Sequence, residues 1–257
     1  MKGKAMADKT DFKRKLTGLR RTVMDTVFPW NTCLFCGGRA ANSGCLCEAC
    51  AEKIAAYRRC RVCGCFFEFL TDREHSLICP FCRKEQKKYI DAFYAALPYC
   101  GKPRDLILAL KYREQKKYAR PLGSCLAEYL IKQNIQADFI VAVPLHENRL
   151  AERGYNQSEL LAEVVSENLG IPVLPGALKR HKETKVQHRL SFNERKINLA
   201  DAFSAGGRCK TVFGSSILLI DDIMTSGTTF VNCAKVLKQQ GASKMYAASV
   251  ASHVVKL

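Results

Sequence analysis

Ser216-Ile217-Leu218-Leu219-Ile220-Asp221-Asp222-Ile223-Met224-Thr225-Ser226-Gly227-Thr228-Thr229 is the stretch whose reading decides the fold. It begins as a run of branched apolar residues with no polar alternation. Such a run reads as a strand buried on both faces of a parallel sheet. Asp221 and Asp222 stand at the expected end of that strand. A loop of small hydroxylated residues and glycine follows, and a helical pattern then runs from Phe230 to Gln240.

In open α/β sheets, ligands bind beyond the carboxyl ends of the strands. A loop that opens a helix offers free backbone N–H groups and the positive end of the helix dipole. Thr225, Ser226, Thr228 and Thr229 add hydroxyl donors, and Gly227 lets the backbone close tightly. That chemistry suits a phosphate monoester. Asp221 and Asp222 are acceptors instead, suited to sugar hydroxyls or to Mg²⁺ held between a sugar and a diphosphate. Acceptors beside a phosphate cradle point to a phosphorylated sugar. The stretch closely resembles the 5-phosphoribosyl-1-diphosphate (PRPP) motif of type I phosphoribosyltransferases. In that family the acidic residues contact the ribose hydroxyls and the loop holds the 5-phosphate.

Around this stretch the chain is 257 residues long, enough for one large domain or two smaller ones. Lys and Arg number 41 against 24 Asp and Glu, a net charge of +17 that favours polyanionic partners. No apolar run approaches the length of a membrane span, and no secretory signal pattern follows the basic N-terminus, so a cytoplasmic chain is expected. Of its 14 cysteines, ten lie between Cys33 and Cys82. In an intracellular chain that concentration points to metal ligation rather than disulfides.

Three regions are expected. Residues 1–29 form a basic leader with loose helical spacing, able to touch nucleic acid or, peripherally, an acidic membrane surface. Residues 30–87 carry four C-x-x-C knuckles, each placing two thiolates within reach of one tetrahedral metal. Two structural Zn²⁺ ribbons are expected, the first on Cys33, Cys36, Cys47 and Cys50, the second on Cys60, Cys63, Cys79 and Cys82. A cross-braced pairing, first knuckle with third, remains open. His75 reads as a surface residue. Little in the segment builds an apolar core, so metal must stabilise it.

Residues 88–257 read as the α/β domain. Strands are expected at Ala92–Tyr99, Phe139–Val143 and Met245–Val250. Helices are expected at Lys102–Lys111, from Pro121 to Gln133 and from Ser158 to Leu169. The order is that of a doubly wound domain. Phe203–Phe213, with Gly206-Gly207, reads as a hairpin, and residues 147–153 as a charged loop. Lys111, Arg113, Lys116 and Lys117 form a cationic cluster, a candidate nucleic-acid surface. Residues 178–199 read as a long basic loop, then a short helix. Arg180, Lys185 and Arg189 are lid candidates there, and Arg149 and Arg153 are candidates for the diphosphate end. Tyr155 and Phe192 are the aromatics able to stack a base.

Several pieces in order resemble the ComF family. They are the knuckle array, Leu110-Lys111-Tyr112, Val143-Pro144-Leu145 and Arg149-x-x-x-Arg153-Gly154-Tyr155-Asn156-Gln157. Thr184-x-x-Gln187-x-x-Leu190, Arg195-x-x-Asn198 and the PRPP motif complete the set. The resemblance covers roughly residues 30–257. It implies a type I phosphoribosyltransferase-like parallel sheet flanked by helices, with a small zinc-ribbon domain before it. It also implies a role in handling single-stranded DNA during uptake and transformation. Three functions follow as alternatives: a PRPP-binding protein that handles single-stranded DNA, a nucleobase-salvage phosphoribosyltransferase, or a non-catalytic zinc-ribbon adaptor for a competence helicase. If transfer occurs, Asp221 and Asp222 are the catalytic candidates. The acceptor is not legible.

Overall fold

The computed structural model describes residues 32–40, 44–68, 77–84, 88–182 and 202–255. Chain order is α1 (Glu48–Ala55), β1 (Arg58–Arg59), β2 (Phe66–Phe67), α2 (Pro80–Lys84), β3 (Ala92–Pro98), α3 (Gly101–Tyr112), α4 (Ala119–Lys132), β4 (Phe139–Ala142), α5 (Glu147–Arg153), α6 (Gln157–Leu169), β5 (Leu178–Arg180), β6 (Phe203–Ala205), β7 (Ser216–Met224), α7 (Thr228–Gln239), β8 (Lys244–Ser252) and β9 (Val254–Val255).

Four strands form a parallel sheet in the order β3-β8-β7-β4. Its centre is β7, where Ile217, Leu218, Leu219 and Ile220 are fully buried. Burial on both faces explains the unbroken apolar run. Edge strand β3 ends on Pro98, a residue that an edge tolerates because its missing N–H breaks no inner ladder. Helix α4 packs on β3 and β8, α6 on β4 and β7, and the two helices pack on each other. Their approach is close: a Cβ at Gly123 would stand 2.7 Å from Val164 Cβ. Helix α7 packs against β8 and the antiparallel β5–β6 pair.

Strand β7 runs from Ser216 to Met224, so the carboxylates stand near its end. Three expectations need correction. Residues 178–180, read as the start of a long basic loop, are strand β5. Residues 147–153 are helix α5, capped by His146, whose Nδ1 accepts from the Asn148 N–H, and closed by Gly154 at φ +71°. Its face buries no residue, so no apolar periodicity announces it. Residues 203–213 are not a hairpin. Strand β6 pairs instead with β5, and Cys209–Val212 forms a 3₁₀ turn. The close approach is there, since a Cβ at Gly206 would lie 2.1 Å from the Gly176 carbonyl oxygen.

The cysteine-rich segment is bound into the rest of the fold. Its strand β2 pairs antiparallel with β1 and parallel with the C-terminal β9. Leu34, Ile54, Phe66 and Phe67 share one apolar cluster with the sheet residues. Arg59 completes the seam: it donates to the Ala95 carbonyl at 2.6 Å and the Tyr129 hydroxyl at 3.3 Å, and lies 4.1 Å over the Phe66 ring.

Candidate functional site

Adjacent residues of a strand point to opposite faces, so Asp221 and Asp222 diverge and take different partners. Asp221 Oδ1 accepts from Ser158 Oγ at 2.8 Å and from the Asp222 N–H at 2.9 Å. Asp222 is 2% exposed, and its Oδ2 lies 2.9 Å from Lys111 Nζ, an ion pair rather than an aligned hydrogen bond. Burial, and then the neighbouring Asp222 charge, push Asp221 up to about 7. Lys111 is pulled down by burial, but Asp222 and Asp221 outweigh that and hold it above the usual lysine value. The site is therefore a buried acid–acid–base group, two carboxylates to one ammonium.

The loop after β7 is built as expected in part. Gly227 takes φ +76° and caps α7, a conformation that favours glycine. Ser226 and Thr228 are buried, and their hydroxyls lie 2.8 Å apart, bonded to one another. Thr225 and Thr229 remain half-exposed. The backbone N–H groups of the first turn of α7 are thus the main donors toward the loop, with two hydroxyls beside them.

The segment Arg153–Gln157 explains itself as scaffolding. Arg153 donates to Gln157 Oε1 at 2.6 Å and lies 5.1 Å over the Tyr112 ring. Tyr155 is buried, and its hydroxyl donates to the Leu110 carbonyl, which fixes the end of α3 beside β7. Asn156 donates to the Val143 carbonyl at 3.1 Å and accepts from the Ser158 N–H at 3.0 Å, capping α6. One cap thus aims Ser158 at Asp221. Tyr155, expected as able to stack a base, is a packing residue.

The basic candidates separate. Lys111 turns to Asp222 and leaves the cationic cluster, whereas Arg113, Lys116 and Lys117 are exposed. Lys116 and Lys117 lie over the Tyr155 and Tyr118 rings. Arg149 pairs with Glu152 at 2.8 Å on the surface of α5. Arg180 sits at the end of β5, bridged to His146. Burial pulls its guanidinium below the usual arginine value, and the Asp221 charge opposes that. Arg180 is therefore brought near the acidic pair. Lys185, Arg189, Phe192, His75 and the 1–29 leader lie outside the described residues. Ser158 and the inward role of Lys111 were missed. The only signal was Ser158 behind an Asn cap, and Lys111 at the end of an apolar helix face.

The cysteines settle into two sets. Cys33, Cys36, Cys47 and Cys50 form one, and Cys60, Cys63, Cys79 and Cys82 the other, each with sulfurs within 4.8 Å of one another. That excludes the cross-braced pairing. Cys36 and Cys47 sulfurs are 3.8 Å apart, Cys63 and Cys79 sulfurs 3.6 Å. A tetrahedron with metal–sulfur arms of about 2.3 Å has edges of about 3.8 Å, so both sets fit a zinc-sized ion. Main-chain N–H groups of Phe35 and Gly38 donate to Cys33 and Cys36 sulfurs, and that of Cys79 to Cys60 sulfur, as thiolates require. The thiols of Cys63, Cys65, Cys79 and Cys82 pull Cys60 far down, while Cys60 pushes Cys63 up to about 12. A divalent cation in place of the shared protons removes that conflict.

A parallel sheet flanked by helices, with an acidic pair and hydroxyl loop at its central strand, defines a type I phosphoribosyltransferase-like protein. Cysteine sets able to hold metal stand before it. No family model matches the chain. It is 29% identical over 222 residues to competence protein F of Haemophilus influenzae, covering 83% of this chain and 93% of that one. It is 26% identical over 215 residues to competence protein ComFC of Bacillus subtilis, covering 68% and 82%. DNA utilization protein YhgH of Salmonella typhi is 32% identical over 143 residues, with 54% of this chain and 62% of that protein covered. The chain is thus similar over most of its length to proteins named for competence. Among solved structures it is similar to adenine phosphoribosyltransferase of Leishmania tarentolae, at 16% identity and a TM-score of 0.33 over 53% of this chain and 58% of that one. Among the described residues no helix is long and apolar enough to cross a membrane.

Proposed function

We propose that this protein binds PRPP with Mg²⁺ and single-stranded DNA, and acts on the cytoplasmic side of DNA uptake. The observation that carries the reading is the acidic pair of β7 followed at once by the hydroxyl loop and the N-terminus of α7. Asp221 and Asp222 accept from the ribose hydroxyls, and the loop from Thr225 to Thr229 receives the 5-phosphate. Binding requires Lys111 to share Asp222 with the ligand, so this lysine moves from partner of a carboxylate to neighbour of the diphosphate end. Arg180, close enough for the Asp221 charge to act on it, serves the same end in this reading. When bound, Mg²⁺ supplies charge neutralisation for a departing diphosphate. The relatives named for competence and DNA utilization support the DNA half of the reading. The exposed cluster of Arg113, Lys116 and Lys117 suits a phosphate backbone. A competence helicase is the proposed protein partner, and the two cysteine sets, each holding Zn²⁺, are structural.

Calorimetric titration with PRPP, with and without Mg²⁺ and with and without an oligonucleotide, tests the reading. Saturable Mg²⁺-dependent binding that the paired changes Asp221→Ala and Asp222→Ala abolish is the expected result. A wild-type melting temperature unmoved by PRPP and Mg²⁺ would refute the phosphoribosyl site. DNA affinity that stays negligible at low salt would refute the other half.

A further inference from the structure

Beyond the two expected sets, the second cluster has neighbours that no ribbon pattern explains. Cys65, Cys79 and His253 also present donor atoms within 4.8 Å of one another. Cys65 is fully buried and lies 188 residues before His253 in sequence. The sheet formed by β2 and β9 brings them together, and the Phe66 N–H points to the His253 carbonyl at 3.4 Å. Both ring nitrogens of His253 are buried without a hydrogen-bond partner. Few buried imidazoles lack an aligned hydrogen-bond partner at both nitrogens, so this ring calls for an explanation. Phe81 stands edge-on to the ring, centroids 5.0 Å apart at 90°, and fixes its plane. The main chain of Met224 and Thr225 lies close to the ring.

We propose that Cys65, Cys79 and His253 form a third metal position, which takes Zn²⁺ and shares the Cys79 thiolate with the second ribbon. A ligating histidine characteristically turns its second ring N–H to a backbone carbonyl, and the carbonyls beside Thr225 offer that acceptor. Charge favours the arrangement. Four thiolates around one divalent cation leave two negative charges in a buried site. Adding the Cys65 thiolate and a second cation leaves one. Three protein donors are the number found at zinc positions that keep one place open. The main-chain N–H of His253 donates to the Met224 carbonyl at 3.1 Å, so a metal on its ring ties the ribbon to the strand that enters the hydroxyl loop.

Zinc per chain of the full-length protein, measured after equilibration against buffered free Zn²⁺ under reducing conditions, tests this without any phosphoribosyl ligand. Three ions per chain are expected in the wild type, and two in each of His253→Ala, Cys65→Ala and the double variant. The equality of single and double changes identifies one shared position. Zinc absorption spectroscopy should show a nitrogen donor and a metal–metal distance in the wild type, and neither in His253→Ala. Circular dichroism on each variant confirms that the fold is kept. Should His253→Ala fail to fold, His253→Gln and Cys65→Ala carry the count. Two ions per chain in the folded wild type, or three retained in the folded variants, overturns the proposal.

Discussion

The buried charge at the centre of the sheet is governed by three residues. Asp221 is raised to about 7 because its carboxylate is buried and faces Asp222. The native state therefore holds a proton that the unfolded chain releases at the ordinary aspartate value of 3.8. Between those values the folded form binds more protons, so this group's contribution makes the ligand-free protein lose stability as pH rises from about 4 to about 7. Ligand binding runs the other way. Ribose hydroxyls and Mg²⁺ call for the ionised form, so PRPP affinity should increase as pH passes from 6 to 8. Titrations in buffers of different ionisation enthalpy should record proton release below pH 7. Affinity flat across that range would mean that Asp221 is already ionised in the free protein. Lys111 gives a second test. Lys111→Met leaves the Asp222 carboxylate buried and unpaired and should cost about 3–5 kcal/mol in urea unfolding. Lys111→Met with Asp222→Asn should recover most of that loss, because no charge is then stranded.

One element, the turn from Tyr112 to Tyr118 after α3, separates the buried from the exposed basic residues. Lys111 looks inward, while Arg113, Lys116 and Lys117 face solvent. If this turn tracks a single strand of DNA, replacing those three by Ala should flatten the logarithmic salt dependence of binding by about 2, at roughly 0.7 per phosphate contact. Lys111→Met should leave the slope unchanged. An unchanged slope in the triple variant would place the strand elsewhere.

The elements also show what a sequence yields. Strands β4, β7 and β8 were legible because two-faced burial writes an unbroken apolar run. Helices α3, α4, α6 and α7 were legible because one face of each is apolar. Helix α5 was hidden because it buries nothing, and its charged residues look like loop. Strand β6 was misread because its partner is β5, across a segment that local turn signals cannot see. In the site, Asp221, Asp222 and Gly227 were named from chemistry and spacing. Ser158 and Lys111 were not, because their roles depend on the Asn156 cap and the Tyr155 anchor that aim two separate helices at one strand.

Taken as a whole molecule, the ribbons and the sheet share a hydrophobic core, and this decides how metal loss should propagate. The segment expected as a domain of its own contributes Leu34, Ile54, Phe66 and Phe67 to the cluster that holds β3, β7 and β8. Its strand β2 is closed by the last strand of the chain, and Arg59 spans the seam to Ala95 and Tyr129. A ribbon hung on a linker would melt alone when chelated and leave the sheet's transition in place. With zinc on both cysteine sets as proposed, its removal should free the edge of β9, expose Phe66 and release the strand end beside the Thr225–Thr229 loop. Calorimetry of the intact chain should therefore show one transition with metal. Treatment with a zinc chelator should lower that transition, not split it. Arg59→Ala offers the intermediate case. It removes two hydrogen bonds and the stacking on Phe66 without touching a sulfur, at a cost of about 2–4 kcal/mol. That loss should separate the two parts, so that chelation of the variant, unlike that of the wild type, gives a distinct early transition. Two transitions in the metal-loaded wild type would show instead that the shared sheet is too weak to couple them.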